Sequence, residues 1–362
     1  MVTREEFYVD SVDGIHMIHG YRWYDPEIKS KGVLQIVHGM LEYIDRYDEL
    51  ARHMASEGYF VIGHDHLGHG DSVGHTSELG YVGKHGAVLW LRDMEQIRKM
   101  AVAYMPKLPY IMLGHSMGSY LVRRYLIYHG KRVDGAIIMG TGHQPAILIK
   151  AGLLITYANM IRKGSRGHSV LLNNLTCSGF AKRYPDNART GSWMSRDPQV
   201  LVSALQDKKM NYDFTLNAFE ALFRTIEEVL DPKRVSRMPK TLPLLILSGD
   251  EDPVGENGKG VARFRTMLNK IGMKNVSCVI SSAFFSAASF TSAALSLSSL
   301  TGEIFGAKPR SLTAFSSPKS AILPLSSAVA AGASAGAFFF LASRTANSTK
   351  RSIAAMPAIS PT

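Results

Sequence analysis

The sequence predicts an α/β protein: a mostly parallel sheet covered by helices on both faces, with a helical insertion over one end. Two observations carry this prediction. Short apolar runs alternate with stretches of helical spacing from Gly32 to Met139, and again from Leu242 to Val279. Between about 143 and 240 that alternation gives way to helical patterns alone.

The elements follow in order. Gly32-Val-Leu-Gln-Ile-Val37 reads as a buried strand running into a loop at His38-Gly39. Ile44 to Glu57 has helical spacing, with Leu50, Ala51 and Met54 on one face and Gly58 as its stop. Tyr59 to Ile62 is the next strand, and a long helix spans about Ala87 to Tyr104 before Pro106. Tyr110-Ile-Met-Leu113 is a strand meeting Gly114, Met117 to Tyr128 a helix, and Gly135 to Met139 a strand. In the insertion the clearest helical patterns are Pro198 to Leu205 and Thr215 to Leu230. Leu242 to Leu247 resumes the sheet, about Gly258 to Ile271 is a helix, and Asn275 to Val279 is a strand. The expected division is a core of residues 1–142 and 241–279 with the insertion 143–240 as a cap.

From 280 to 362 the character changes: Ser and Ala dominate and no period is sustained. The stretch Ser320 to Ser343 is uncharged and contains Phe338-Phe-Phe-Leu341, but its Ser, Gly and Ala content makes it poorly hydrophobic for a membrane span. A disordered or out-of-frame segment is the expectation there.

The chain has 362 residues, 46% of them hydrophobic, enough for a sizeable core. Its start, Met-Val-Thr-Arg-Glu-Glu, puts charges where a secretory leader needs an apolar stretch, so a cytoplasmic start is expected. Cys177 and Cys278 are read as free thiols, being too few for a disulfide framework. The net charge of +11 is spread along the chain, which argues against nucleic acid. From Val279 onward one acid, Glu303, faces six bases, so the tail supplies +5 of that charge.

Gly114-His-Ser116-Met-Gly118 is a G-x-S-x-G sequence between an apolar strand and a helix. A direct strand-to-helix turn strains the serine backbone and crowds its neighbours, and glycine on either side gives room. The helix that follows aims amides at the place where an oxyanion would form, with Met117 N–H the first donor and Met40, after His38-Gly39, the second. A second copy of the pattern, Gly332-Ala-Ser334-Ala-Gly336, lacks that strand and helix. A serine needs a base and an orienting acid. Asp252, in Ser248-Gly-Asp-Glu-Asp-Pro-Val-Gly255 past a late strand, is the chosen acid, though Asp250 and Glu251 share its loop and a plain solvated charge remains the competing reading. The run His64-Asp-His66-Leu-Gly-His69-Gly-Asp71-Ser72 invites a metal reading, but Gly68 stands where a ligating aspartate would be, and a tight glycine-bearing loop is the better reading.

His38-Gly-Met40, Asp65-His-Leu-Gly68-His-Gly70-Asp-Ser72, Gly114-His-Ser-Met-Gly118, Ser192-Trp-Met-Ser-Arg-Asp197 and Gly249-Asp-Glu-Asp252-Pro-Val-Gly255, in this order, resemble the monoacylglycerol lipase, lysophospholipase and serine aminopeptidase-like branch of the α/β-hydrolases. The resemblance covers about residues 5–278. It implies an α/β-hydrolase fold, Ser116 as nucleophile, Asp252 as triad acid, Met40 and Met117 as oxyanion donors, and a cap that selects the acyl or alcohol group. The implied substrate is an ester with one fatty chain, which is compatible with membrane-surface association. No metal or organic cofactor is implied, because Ser-His-Asp chemistry needs none.

The departure from the pattern is in the base. Such hydrolases carry the catalytic histidine after the acid, which here falls near Ser286, yet all thirteen histidines precede Asp252 and the last is His168. Three accounts follow: a misjoined C-terminal segment on an otherwise ordinary hydrolase, which is favoured; a base-less protein that binds a lipid-like ligand; and a protein tethered through Ser320 to Ser343.

Overall fold

The computed structural model describes residues 1–178, 180 and 198–281, all within the unit Met1–Arg310. Its centre is an eight-stranded sheet in the order β1-β2-β4-β3-β5-β6-β7-β8. The strands are β1 Thr3–Asp10, β2 Met17–Tyr24, β3 Gly32–Val37, β4 Tyr59–His64, β5 Tyr110–His115, β6 Gly135–Met139, β7 Leu244–Gly249 and β8 Val276–Ser281. From β4 to β8 the neighbours are parallel, and β1 and β2 add an antiparallel hairpin at one edge.

The parallel strands β3 to β7 are buried along nearly their whole length, as continuous apolar runs covered on both faces must be. Alternate residues divide between two cores. Val33, Ile62, Met112, Ile138 and Ile246 face one cluster, and Leu34, Val61, Leu113, Ile137 and Leu247 face the other. The helices α1 Asp48–Ser56, α2 Gly86–Tyr104 and α3 Met117–His129 lie beside them. Leu50, Ala51, Met54 and Ala55 of α1 close the second cluster, whereas Trp90 and Met94 of α2 and Leu121 and Tyr125 of α3 belong to the first.

The hairpin β1–β2 departs from the sequence reading, which placed no strand before Gly32. β1 alternates half-buried and exposed positions because it forms an edge, so it has none of the apolar runs that mark the central strands. The helix read over Ile44 to Glu57 is also divided. A 3₁₀ turn, Ile44–Tyr47, precedes α1.

Between β6 and β7 the described helices are α4 Ala146–Lys163, α5 Val170–Asn173, α6 Pro198–Gln206, α7 Leu216–Leu230 and α8 Pro232–Val235. α9, Lys259–Lys270, connects β7 to β8. Of these, α7 is the anchor, since it touches α2, α3 and α4. Arg124 of α3 grips Glu228 of α7 through two contacts of 2.8 and 3.2 Å, a bidentate geometry that fixes orientation as well as distance. Arg123, fully buried, donates to Val229 O at 3.1 Å near the C-terminal end of α7, where a cation complements the helix dipole. Two further ties run from the segment after α6 to the core: Tyr43 Oη to Asp207 at 2.6 Å and Lys209 to Asp71 at 2.5 Å.

Candidate active site

The chain order reverses between β3 and β5, because β3 leads to β4 on one side while β5 lies on the other. In open α/β sheets the crevice for ligands forms at such a point, beyond the carboxyl ends of the strands. The two strands that flank it carry His38-Gly39-Met40 and Gly114-His-Ser116-Met-Gly118. Their ends are in register, Val37 opposite Gly114.

Ser116 occupies the turn between β5 and α3 with φ 50° and ψ −117°, a left-handed conformation that costs a non-glycine residue on the order of 1–3 kcal/mol. Its N–H donates to Met139 O at 2.9 Å, and its C=O accepts from the Ser119 N–H at 2.9 Å, so the strain is held from both sides. The flanking glycines are sterically required. A Cβ at Gly118 would lie 2.0 Å from Val37 O, and one at Gly114 would lie 2.4 Å from Gly118 O. A Cβ at Gly39 would come within 3.2 Å of the Ser116 Cβ, which shows how closely the β3 loop approaches the serine.

Ser116, Met40 and Met117 line one cavity of about 710 Å³, within the ~300–1,000 Å³ usual for small-molecule sites. Most of its wall is apolar, from Leu148, Ile149 and Ile155 of α4, Leu172 of α5, and Phe219, Leu222 and Phe223 of α7. Tyr120, Gln144 and Asn211 add polar points. Because α3 begins at Met117, its first two amides, those of Met117 and Gly118, have no intrahelical acceptor.

Asp252 follows β7, at the same edge of the sheet as Ser116. It is half-buried and accepts from the Val254 N–H at 2.8 Å. Burial pushes its carboxyl above the usual value, and the Val254 amide works against that shift. Val254 itself lines the cavity. Its carbonyl takes a hydrogen bond from Gln144 Nε2 at 3.1 Å, and Gln144 Oε1 accepts from Tyr120 Oη at 2.9 Å. A chain of side-chain contacts thus runs from α3 to the loop of Asp252.

Sequence reasoning missed Glu42. This buried carboxylate accepts from the Gly39 N–H at 2.5 Å, Tyr47 Oη at 2.8 Å and Arg46 at 2.7 Å, and meets His115 Nδ1 at 2.9 Å. Burial opposes its ionisation, yet His115 and Arg46 hold it well below the usual carboxylate range. It ties the loop of Met40 to the residue before Ser116. Three of these partners lie within five positions of Glu42, but His115 is 73 away, so only the fold brings the carboxylate to the serine turn.

His38 turns to the Gly39 carbonyl and the His66 N–H, and His115 to Glu42 and Tyr47. Among the described residues no histidine ring hydrogen-bonds Ser116. The expected position of the base near Ser286, the second glycine-serine pattern at Ser334, the motif Ser192 to Asp197 and the stretch Ser320 to Ser343 lie outside the described residues. Cys278 is a free thiol.

The run from His64 to Ser72 forms a tight loop after β4, with φ of +81° at Gly68 and +50° at Gly70. Asp65 is its hub, accepting from the amides of Ile44 and Asp71 and contacting His19 Nδ1 at 2.8 Å. His19, Asp65 and Asp71 lie close enough together to be considered for a metal ion. However, protein donors already occupy the Asp65 carboxylate and Lys209 pairs with Asp71, so the group reads as a hydrogen-bond hub.

A profile of the serine aminopeptidase S33 hydrolase family matches residues 28–285. The chain belongs to that family. This hydrolase is 25% identical over 278 residues to a monoacylglycerol lipase of Mycolicibacterium smegmatis, covering 76% of this chain and 87% of the relative. It is 35% identical over 98 residues to the monoglyceride lipase of Homo sapiens, covering 27% of this chain and 30% of that one. Among solved structures it resembles a thermostable carboxyl esterase from Bacillus coagulans in complex with glycerol, with a TM-score of 0.75, 24% identity, and 83% and 99% of the two chains covered. It also resembles a monoglyceride lipase from Saccharomyces cerevisiae, with a TM-score of 0.64, 16% identity, and 83% and 95% covered. The fold is the α/β-hydrolase fold.

Proposed function

We propose that this chain carries the apparatus of a serine hydrolase for monoacyl esters, with Ser116 as nucleophile and Asp252 as the orienting acid. The single observation that carries the reading is the strained Ser116 at the start of α3, opening into an apolar cavity of about 710 Å³. In this reading Ser116 Oγ attacks the ester carbonyl, the C–O bond to the alcohol breaks, and the alcohol leaves carrying the proton that the serine gave up. Water then cleaves the acyl-serine to release the fatty acid and restore the hydroxyl. The Met40 and Met117 amides receive the oxyanion. The Ile149, Leu172 and Phe223 walls suit a single fatty chain. The cap, residues 143–240, supplies much of that wall and so selects the substrate. The relatives, a monoacylglycerol lipase and a monoglyceride lipase, support the same substrate class.

The proton on Ser116 needs an acceptor, and no histidine follows Asp252 in the sequence. The chain as written therefore turns over slowly while keeping its lipid cavity, so it binds a monoacyl ester more readily than it cleaves one. A long incubation with a fluorophosphonate, followed by intact mass measurement, tests the nucleophile. One adduct is expected, and none in Ser116→Ala. An adduct that persists in the variant assigns the nucleophile elsewhere.

A further inference from the structure

Among the described residues six that are not glycine have a positive φ: Leu41, His85, Lys107, Ser116, Glu256 and Asn257. Two of the six, Leu41 and Ser116, line the cavity. A backbone held this way costs free energy and persists where its surroundings over-determine it, most often at a site that uses it. The proposed nucleophile accounts for the strain at Ser116. Leu41, with φ of 57°, has no such account, and a bulky side chain suits that region far less than glycine or asparagine does.

The loop fixes Leu41 from both sides. Before it, the Gly39 N–H donates to Glu42 at 2.5 Å. After it, the Ile44 N–H donates to Asp65 at 2.7 Å and Tyr43 Oη donates to Asp207 at 2.6 Å. Glu42 and Asp65 are buried, so the path from β3 to the 3₁₀ turn is set whatever side chain stands at this position. Glycine would follow that path without strain, and the leucine is explained by what its side chain does. It is half-buried, packs at the edge of the first core cluster, and forms cavity wall beside Met40. The same loop passes close to the serine, because a Cβ at Gly39 would sit 3.2 Å from the Ser116 Cβ.

We propose that Leu41 is a specificity-determining residue of the ester site, excluding acyl groups branched on the carbon next to the carbonyl. The inference rests on the reading of Ser116 as nucleophile and of the cavity as its substrate site, and it adds the shape of the acyl group that enters. The cap supplies the walls from α4, α5 and α7, whereas Leu41 belongs to the loop of the proposed oxyanion donor Met40. Its bulk therefore stands beside the ester group itself. A straight chain carries only hydrogens on the carbon next to the carbonyl and passes the leucine. A second alkyl branch there meets a side chain whose backbone is pinned by the three hydrogen bonds, so the wall does not swing aside to admit it.

The test compares Leu41→Gly with Leu41→Ala in the purified full chain. Both remove the bulk, but only glycine relieves the backbone, so the thermal midpoint of Leu41→Gly should lie about 2–4 °C above that of Leu41→Ala. Isothermal titration then reads the affinity for two isomeric monoesters of glycerol, one of decanoic acid and one of dibutylacetic acid, each below its aggregation concentration. The unaltered chain should bind the straight ester at least about tenfold more tightly, and both variants should bring the ratio to within about threefold by gaining affinity for the branched ester. A ratio unchanged in both variants, with the straight ester still bound, overturns the role of Leu41 and leaves the cavity reading standing. Equal affinity for the two esters in the unaltered chain does the same. A midpoint of Leu41→Gly at or below that of Leu41→Ala overturns the argument from strain. If neither ester binds the unaltered chain, the reading of the cavity fails and the inference falls with it.

Discussion

At the residue scale the structure turns on small groups in fixed places. Gly118 lets α3 start within contact of the β3 carbonyls, and Ser116 is exposed to the cavity because of that approach. Gly118→Ala should therefore cost at least about 2 kcal/mol, since its Cβ at 2.0 Å from Val37 O must displace backbone on both sides. Urea unfolding checks the value, and a variant as stable as the parent would show that the β3 loop is not held against α3. The serine turn was legible in the sequence because its causes are local: an apolar strand, two glycines and a helix within a few residues. Glu42 was not legible, since its importance comes from Gly39, Tyr47 and His115, and the last of these lies 73 positions away. Asp65 was legible only as part of a glycine-bearing loop. Its contacts with Ile44 and His19 depend on tertiary placement.

At the scale of elements, the central strands were readable because burial on both faces leaves a continuous apolar run. The β1–β2 hairpin was not, because an edge strand alternates and carries charge. The ends of β3 and β4 and the loop after β4 hold a property no periodicity would reveal. His38, His64, His66 and His69 are all buried, with the His38 and His66 rings 4.1 Å apart. Burial drives His38 and His66 well below the ordinary imidazole value, His64 to about 3 and His69 to about 4. Each ring binds protons more weakly folded than unfolded, so unfolding takes up protons and stability falls as pH drops from about 6.5 toward about 4. Asp93 acts in the opposite sense. Burial raises its carboxyl to about 6, so it favours the folded state as pH falls through that value. Burial raises Asp252 as well, and against burial Asp65 raises His19, which makes three groups against the four rings and His143, lowered by burial to about 4. The unfolding midpoint should therefore decrease steadily below about pH 6.5. Both ring nitrogens of His64 lack a hydrogen-bond partner, so His64→Leu should be neutral or stabilising by about 1 kcal/mol near pH 7. It should also make the acid decline shallower. Urea midpoints measured across this range decide it, and an unchanged slope would remove His64 from the account.

At the scale of the whole molecule, the hydrolase frame, the serine turn and the acid loop share one edge of the sheet around an apolar cavity, while the sequence ends its histidines at His168. Motifs in their order foretold this frame, because the four that lie among the described residues are local turns placed at strand ends. The cavity was less legible, since its wall joins α4, α5 and α7 from an insertion whose periods are similar on paper. The central claim is that the chain holds the site of a monoacyl-ester hydrolase without its base, and turnover measures it most directly. The comparison is between the purified chain and a chimera in which everything after Cys278 is replaced by the histidine loop and final helix of an active relative. Loss of one member of a triad costs roughly 10⁴ to 10⁶ in turnover. The unaltered chain should therefore cleave a monoacyl ester only at a trace rate, and the chimera should gain several orders of magnitude that Ser116→Ala abolishes. Ordinary enzymic turnover by the unaltered chain, lost in Ser116→Ala, would contradict the claim.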